Sequence, residues 1–343
     1  MRVAMYYSNN DIRIEELVVP KIGPGELLMR VIASGICGSD VMEWYRRDKV
    51  PLVLGHEVTG EVVSTGKDVN RFQVGDRIAV THHVPCNTCN YCLNGHHTVC
   101  ELLQKGTHFH PGGFSEYIRI PEINVDRGTF HIPDGTSFED ASFMEPLACV
   151  VRGQNKAGIM PGQSVLILGN GIAGLLHIAL ARASGAGLII ASDTIPFRME
   201  MAEEMGAHRT FMADNNLPET IREINDGYLA DIVIICHGEF IPLAFSSVEK
   251  GGTLLFFASA PEDAVIQSTV NDLFWRTEMT LTSSYAGAPS DCSVALKLIN
   301  AGVIPVNRLI THRLKLADTI KGFNAVCSPI EHNSIKVIVN PQE

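Results

Sequence analysis

The sequence predicts an α/β protein of two domains, one rich in β structure and one built on a doubly wound parallel sheet. Two observations support this fold class. The chain has 343 residues, a length at which a single hydrophobic core usually gives way to two. Near residue 150, short apolar runs broken by glycine and proline give way to alternating strand and helix patterns. We therefore predict domains at residues 1–150 and 151–288, with residues 289–343 returning to the first.

The predicted elements follow from these patterns in chain order. The strands expected in the first domain include Glu26–Ala33, Glu57–Val63 and Asp76–Thr81. The second domain opens with a strand in SVLILG, a helix in IAGLLHIALARASG, a strand in LIIASD and a helix through MEMAEEMGA. Its further strands are expected at Asp231–Cys236, Gly252–Ala258 and Met279–Ser284, which makes about six parallel strands. The last segment, with a helix near Cys292–Ala301 and strands near Arg308 and Ile335, is too short to fold alone.

Composition argues against a nucleic-acid-binding, secreted or membrane protein. The formal net charge is −11, whereas nucleic-acid binders usually carry a basic patch, so we expect no nucleic-acid partner. The amino terminus lacks a secretory signal, and the most apolar region, Ser164–Ala191, is interrupted by glycines, His177 and Arg182. Nine cysteines, four of them crowded together, favour metal binding in a reducing compartment. We expect a cytoplasmic protein without a membrane association.

A dinucleotide site is predicted at the start of the second domain. Gly169, Gly171 and Gly174 form G-x-G-x-x-G directly after an apolar strand and open a helix, whose amino end attracts a pyrophosphate. Asp193 ends the next strand, where a carboxylate binds ribose hydroxyls and repels a 2′-phosphate, so NAD is favoured over NADP. Arg198 is assigned to the same site. The alternative is a tight strand–helix turn without a cofactor.

A second motif is a cluster of four cysteines. Cys86, Cys89, Cys92 and Cys100 are separated by two, two and seven residues, a spacing that brings four thiolates to one tetrahedral zinc ion. Four protein ligands leave no position for a substrate, so this zinc is expected to be structural. An iron–sulfur cluster is the alternative, because it also takes four thiolates.

A further thiolate and imidazole lie in two short motifs. Cys37 lies in SGICGSD, and His56 with Glu57 lies in LGHEVTG; each alone would be an ordinary buried residue. The run GHE-x2-G-x5-G, continuing to VGDR, resembles the signature of the zinc-containing medium-chain alcohol dehydrogenases. The cysteine cluster, the glycine motif and the domain order match that family too, so the resemblance covers the whole chain. The stretch FMEPLACVV resembles the polyol (sorbitol-like) and threonine dehydrogenase branch.

The resemblance implies a GroES-like catalytic domain followed by a Rossmann domain, with two zinc ions per chain and NAD. It implies a catalytic zinc held by Cys37, His56 and Glu145, with the fourth position left to water or substrate and with Glu57 beside it. There zinc acts as a Lewis acid on a bound alcohol, whose hydride passes to NAD. The expected protein is a homodimeric or homotetrameric, NAD-dependent dehydrogenase of small secondary alcohols such as polyols or hydroxy acids.

The resemblance also assigns roles beside the metal. Ser39 matches the hydroxyl that accepts the alcohol proton, and Asp40 matches the carboxylate that orients His56. A turn-capping serine and a helix cap are the alternatives. The sequence departs from many family members at Met42, where they carry a histidine, which leaves the proton relay unassigned.

Other interpretations remain open at this point. Arg46 and Arg47 could clamp an anionic substrate or be solvated surface residues. The stretch Thr107–Phe114 is expected near the substrate, and His82 and His83 are expected to be packing or turn residues. The competing functions are an L-threonine 3-dehydrogenase-like activity, a zinc-free quinone or enoyl reductase, and a nonenzymatic zinc module.

Overall fold

The computed structural model describes residues 1–105, 109–266 and 268–343. The chain divides into two compact units, the first formed by Met1–Ala148 with Ala286–Glu343 and the second by Cys149–Tyr285. The predicted α/β class is confirmed. Among the described residues, none of the helices is both long and apolar enough to cross a bilayer.

The first stretch of the chain is rich in short strands. The strands of its described part are β1 (Arg2–Ser8), β2 (Asp11–Glu16), β3 (Leu27–Gly35), β4 (Leu52–Val53), β5 (Glu57–Thr65), β6 (Arg77–Val80), β7 (Tyr117–Ile120) and β8 (Thr129–His131). Its helices are α1 (Glu43–Arg46), α2 (Asn90–Leu93), α3 (Glu101–Gln104), α4 (Glu122–Arg127), α5 (Phe138–Ser142) and α6 (Met144–Ala157). The boundary between the units falls within α6.

The rest of the chain alternates strands and helices. It contains the strands β9 (Ser164–Leu168), β10 (Leu188–Asp193), β11 (Arg209–Met212), β12 (Ala230–Ile235), β13 (Val248–Phe256), β14 (Thr280–Ser283), β15 (Ile310–Lys315) and β16 (Lys336–Asn340). Its helices are α7 (Ile172–Ala183), α8 (Pro196–Glu204), α9 (Leu217–Ile224), α10 (Ile241–Ser247), α11 (Val270–Phe274), α12 (Pro289–Asn300), α13 (Thr319–Cys327) and α14 (Pro329–His332).

The sheet that carries the candidate site lies in the first unit. In the described part of the chain its strand order is β15-β16-β3-β5-β6-β8, with β7 also paired to β3. Strands β3 and β5 run antiparallel, with Gly35 opposite Glu57. From the carboxy-terminal segment, β16 pairs antiparallel with β3 through Val339 and Ser34. The segment that follows β3, the segment that precedes β5 and the start of β16 are thereby brought to one end of the sheet.

The second unit is built on a parallel sheet. Within the described residues its strand order is β11-β10-β9-β12-β13-β14, the order of a doubly wound dinucleotide-binding fold. The central strand β9 is buried along its whole length, as expected for a parallel strand covered by helices on both faces. The edge strand β11 was not named from the sequence, because Arg209–Met212 is partly exposed and lacks a continuous apolar run.

His177 is a fully buried residue of α7. Its Nδ1 lies 3.2 Å from Gln154 Nε2, and its ring packs edge-on against Phe257 with the centroids 4.4 Å apart. Burial lowers the pKa of His177 from 6.5 to about 3. At pH values between these two, His177 binds a proton in the unfolded chain but not in the folded chain. The contribution of neutral His177 to the free energy of unfolding is therefore fully present above pH 6.5 and decreases as the pH falls.

Replacing His177 with methionine is expected to reduce the acid sensitivity of the protein. Two pH units below 6.5, at pH 4.5, the wild type should have lost about 3 kcal/mol more of its unfolding free energy than the variant. Urea denaturation of both proteins at pH 7 and pH 4.5 measures this difference. Equal losses in the two proteins would show that His177 does not set the acid response.

Candidate active site and metal centres

A thiolate, an imidazole and a carboxylate converge at the end of the β3–β5 pair. Cys37 follows β3 by two residues, and His56 directly precedes Glu57, the first residue of β5. The Gly35–Glu57 register places these segments side by side. The candidate ligand atoms of Cys37, His56 and Glu57 all lie within 4.8 Å of one another. This donor set is one that zinc binds in proteins.

Asp40 connects the two segments. One of its oxygens, Oδ2, accepts the backbone N–H of Cys37 at 3.0 Å, and the other, Oδ1, lies 3.4 Å from His56 Nδ1. Because Nδ1 faces Asp40, Nε2 of His56 is left to face a metal. Burial lowers the pKa of His56, but the charges of Asp40 and Cys37 outweigh it and hold that pKa well above its usual value.

Glu57 is paired with a buried lysine that sequence reasoning missed. Lys336, the first residue of β16, is fully buried, and its Nζ donates to the Glu57 carboxylate and, at 3.2 Å, to the Ile36 carbonyl. Burial raises the pKa of Glu57, and the charge of Lys336 opposes that shift. The available signal was the single lysine within the apolar run SIKVIVN.

The structure does not bring the expected third ligand, Glu145, into the Cys37 set. Its Oε1 lies 3.2 Å from His83 Nδ1, and its carboxylate forms a separate buried group with His82 and His83. Glu145 lies in the first turn of α6, and this position places its side chain beside the chain segment that follows β6 instead of beside Cys37. The His82 ring also contacts the His56 ring, with the centroids 4.8 Å apart. The two histidines thus pack together beside the candidate site.

The segment from Ser39 to Arg47 lies beside the same site. Ser39 Oγ is 3.4 Å from Cys37 Sγ, which places the hydroxyl next to the candidate ligand. The Arg46 guanidinium points inward and donates to the Ser39 carbonyl oxygen, whereas Arg47 is exposed. These contacts do not favour an anion clamp at Arg46.

The predicted substrate-lining stretch is only partly described. Thr107 and His108 lie outside the described residues. Phe109 is buried in the hydrophobic core of the first unit, and its ring lies 6.1 Å from that of His82. The pair therefore connects this stretch with the histidines beside the candidate site.

The four cysteines of the second motif lie together in a lobe of the first unit. Sulfur–sulfur distances are 3.9 Å for Cys86–Cys92, 3.5 Å for Cys89–Cys92 and 3.6 Å for Cys86–Cys100. A tetrahedral zinc with bonds of about 2.3 Å separates its sulfurs by about 3.8 Å. Hydrogen bonds from Thr88 lower the pKa of Cys86 to about 5, whereas burial raises the pKa of Cys92 to about 12. The geometry fits one tetrahedral ion.

The glycine motif forms the expected turn in the second unit. Gly169 has a φ of +93°, which favours glycine, and a side chain on Gly174 would collide with the Gly169 carbonyl oxygen. The buried Asp193 carboxylate accepts the backbone N–H of Asn170 at 2.6 Å, and Arg198 Nη1 lies 3.8 Å from it. Asp193 therefore also holds the turn in place.

Comparisons with known proteins agree with this arrangement. The alcohol dehydrogenase GroES-like domain family matches residues 23–134, and the zinc-binding dehydrogenase family matches residues 173–301. Sorbitol dehydrogenase from Bacillus subtilis is 31% identical over 99% of this chain and 97% of its own length. L-threonine 3-dehydrogenase from Bacillus velezensis is 31% identical over 91% of each chain. A Sinorhizobium meliloti structure, described as a zinc-binding dehydrogenase bound to NADP, is 29% identical over 99% of each chain with a TM-score of 0.86.

These matches extend over both units. They confirm the predicted GroES-like and Rossmann architecture and the predicted class of oxidoreductase. The chain belongs to the zinc-containing medium-chain alcohol dehydrogenase family, in the branch that includes sorbitol and threonine dehydrogenases.

Proposed function

We propose that the protein oxidises a small secondary alcohol of the polyol or hydroxy-acid type, with NAD as the hydride acceptor and with a catalytic zinc. The observation that carries this proposal is the convergence of Cys37, His56 and the buried Glu57 carboxylate, with Asp40 behind the imidazole. A zinc-free reductase would need none of these ligands. When bound, zinc would supply a Lewis acid for the alcohol oxygen, and NAD would accept the hydride.

We assign the third zinc ligand to Glu145. Glu57 already forms a buried ion pair with Lys336. If Glu57 bound zinc instead, the buried Lys336 ammonium would be left without a counter-charge. Glu145 is held by His83 at one oxygen, as ligand carboxylates commonly are by a neighbouring donor. The negative charge of Glu145 contributes to raising the pKa of Glu57, which supports a position of Glu145 near the same site. Glu57 would then lie beside the metal and contribute negative charge.

The protein's own groups orient the substrate and remove its proton. We assign Ser39 Oγ, next to Cys37, as the acceptor of the alcohol proton. The thioether of Met42 cannot carry that proton further. The proton would leave Ser39 through the cofactor ribose or through water.

We assign a second, structural zinc to Cys86, Cys89, Cys92 and Cys100, supported by the sulfur–sulfur distances. A site of free thiolates favours a cytoplasmic location.

We also propose a homodimer or homotetramer, for which the support is a run of exposed apolar side chains at Val270, Phe274 and Trp275. Light scattering of the purified protein measures the oligomeric state.

Activity on a substrate panel tests the proposed function. The panel contains polyols, hydroxy acids, simple secondary alcohols and threonine, with NAD reduction and metal content measured on the same protein. Turnover of one alcohol class with about two zinc ions per chain supports the proposal. Turnover of threonine alone would favour the second candidate, a threonine 3-dehydrogenase-like activity, which the Bacillus velezensis relative supports. An absence of NAD-dependent turnover on every compound would count against both.

NAD specificity is proposed to depend on Asp193. Replacing Asp193 with asparagine removes the charge that repels a 2′-phosphate and keeps one of the two oxygens that accept the backbone N–H groups of Asn170 and Ile195. We expect the ratio of kcat/KM for NADP to that for NAD to rise about tenfold or more, since one like-charge contact costs at least about 1.4 kcal/mol. Steady-state kinetics with both cofactors measures the ratio. The matched control is Asp214→Asn, an exposed carboxylate of the same unit, and an unchanged ratio in Asp193→Asn would contradict the assignment.

A further inference from the structure

We propose that Arg46 is a positioning residue of this active site, which fixes Asp40 and the Ser39 backbone and thereby orients His56 and the Ser39 hydroxyl. The proposal deepens the zinc-dehydrogenase function proposed above and rests on it. It also replaces the interpretation of Arg46 as a clamp for an anionic substrate.

The contacts of the guanidinium carry this inference. Arg46 Nη2 and Nε donate to the Ser39 carbonyl oxygen at 3.1 and 3.3 Å. Nη2 also lies 3.6 Å from Asp40 Oδ1, the same oxygen that faces His56 Nδ1. One side chain therefore holds the turn that carries Ser39 and the carboxylate that orients the imidazole.

Burial explains why Asp40 needs this cation. Its side chain is 0% exposed, and that of Arg46 is 14% exposed, so water screens the pair poorly. A buried carboxylate is costly unless a cation or several hydrogen bonds compensate its charge. The Arg46 guanidinium supplies such a cation, with Nη2 3.6 Å from Asp40 Oδ1. Because a guanidinium stays protonated in proteins, Arg46 compensates the Asp40 carboxylate whatever the protonation state of His56.

Arg46 is the last residue of the short helix α1, whose position determines where the guanidinium lies. Its four residues are too few for an independently stable helix, and its N-cap residue makes no side-chain hydrogen bond. Asn9, in the turn between β1 and β2, holds the segment from outside. The Asn9 backbone N–H donates to Glu43 at 2.9 Å, and its side chain donates to the Val41 carbonyl at 2.8 Å. The arginine is thus fixed by the fold, unlike a solvated surface side chain.

The test compares Arg46→Gln and Arg46→Lys with the matched control Arg47→Gln, its exposed neighbour. Three properties are measured on the purified full chain. The first is the rate of zinc transfer to a chelator, with the zinc of the cysteine lobe as the internal reference. The second is the ligand-field spectrum after cobalt replaces the zinc. The third is kcat and KM for a neutral alcohol and for a hydroxy acid.

In Arg46→Gln we expect zinc release from the Cys37 site to be about 10 to 100 times faster, the cobalt bands to shift, and kcat to fall similarly. The KM for the neutral alcohol should change little. Arg46→Lys should recover part of the loss, because it restores the charge but not the paired hydrogen bonds to Ser39. Arg47→Gln should behave as the wild type.

Two results would overturn the proposal. One is wild-type zinc release, spectrum and kcat in Arg46→Gln. The other is a higher KM for the hydroxy acid alone with zinc retention unchanged, which would restore the anion clamp. Because zinc release and the cobalt spectrum need no substrate, they decide the role of Arg46 even if the wild type oxidises no alcohol. If Arg46→Gln is too unstable to purify, the same measurements on Arg46→Lys apply.

Discussion

Replacing Cys37 with serine is expected to remove one of the two proposed zinc ions per chain and to lower kcat/KM about a thousandfold or more. The variant loses the thiolate of the candidate ligand set and leaves His56 and the carboxylates to hold the ion. A Lewis-acidic metal contributes several kcal/mol to the stabilisation of the transition state, and each 1.36 kcal/mol corresponds to about a factor of ten in rate. Metal analysis and NAD reduction on the best alcohol of the panel measure both effects.

The matched control is Cys327→Ser, because Cys327 is an exposed thiol of the same unit. It should retain both zinc ions and wild-type turnover. A Cys37→Ser protein that keeps two zinc ions and full activity would contradict the catalytic assignment. Loss of zinc with unchanged turnover would show that the metal at this position is structural.

The third ligand can be identified with the same measurements. Glu145→Gln is expected to lose the catalytic zinc, whereas Glu57→Gln should keep it and lose stability through Lys336. The reverse result would assign the third position to Glu57, which the geometry groups with Cys37 and His56.

The parts of the site predictable from sequence are those carried by short motifs. The spacing of the four cysteines and of the glycines determines local geometry, because the residues of each motif lie within one short stretch of the chain. Cys37 and His56 also lie in adjacent segments, because β3 and β5 are neighbouring antiparallel strands with a defined register. For the two motifs local spacing carries the necessary information, whereas the joint role of Cys37 and His56 is indicated by the family resemblance.

The remaining parts depend on contacts between distant segments or on side-chain direction. Lys336 reaches Glu57 because β16 pairs with β3, and no periodicity near Glu57 indicates that pairing. The inward direction of Arg46 depends on its contact with Ser39, whereas sequence alone makes adjacent arginines look like solvated surface residues. The family resemblance places Glu145 in the ligand set, but its contact with His83 depends on the packing of α6.

Replacing Lys336 with methionine is expected to be strongly destabilising. The variant leaves the Glu57 carboxylate buried without its cation, and breaking a buried ion pair by removing one partner costs about 3 to 5 kcal/mol. Urea denaturation of the metal-depleted full chain measures this loss. The matched control is Lys321→Met, which removes an exposed pair with Asp318 and should change the free energy of unfolding by less than about 1 kcal/mol.

The double variant Lys336→Met with Glu57→Gln separates the ion pair from simple packing. With both charges removed, a substantial part of the lost stability should return, because no uncompensated charge remains in the core. Zinc should also stabilise Lys336→Met more than the wild type. In this variant the Glu57 carboxylate has lost its lysine, and the charge of the nearby zinc ion compensates part of that loss. An additive loss in the double variant, with equal zinc stabilisation in all proteins, would mean that Lys336 contributes packing alone. Recovery would mean that Lys336 provides the charge that keeps Glu57 anionic beside the metal position.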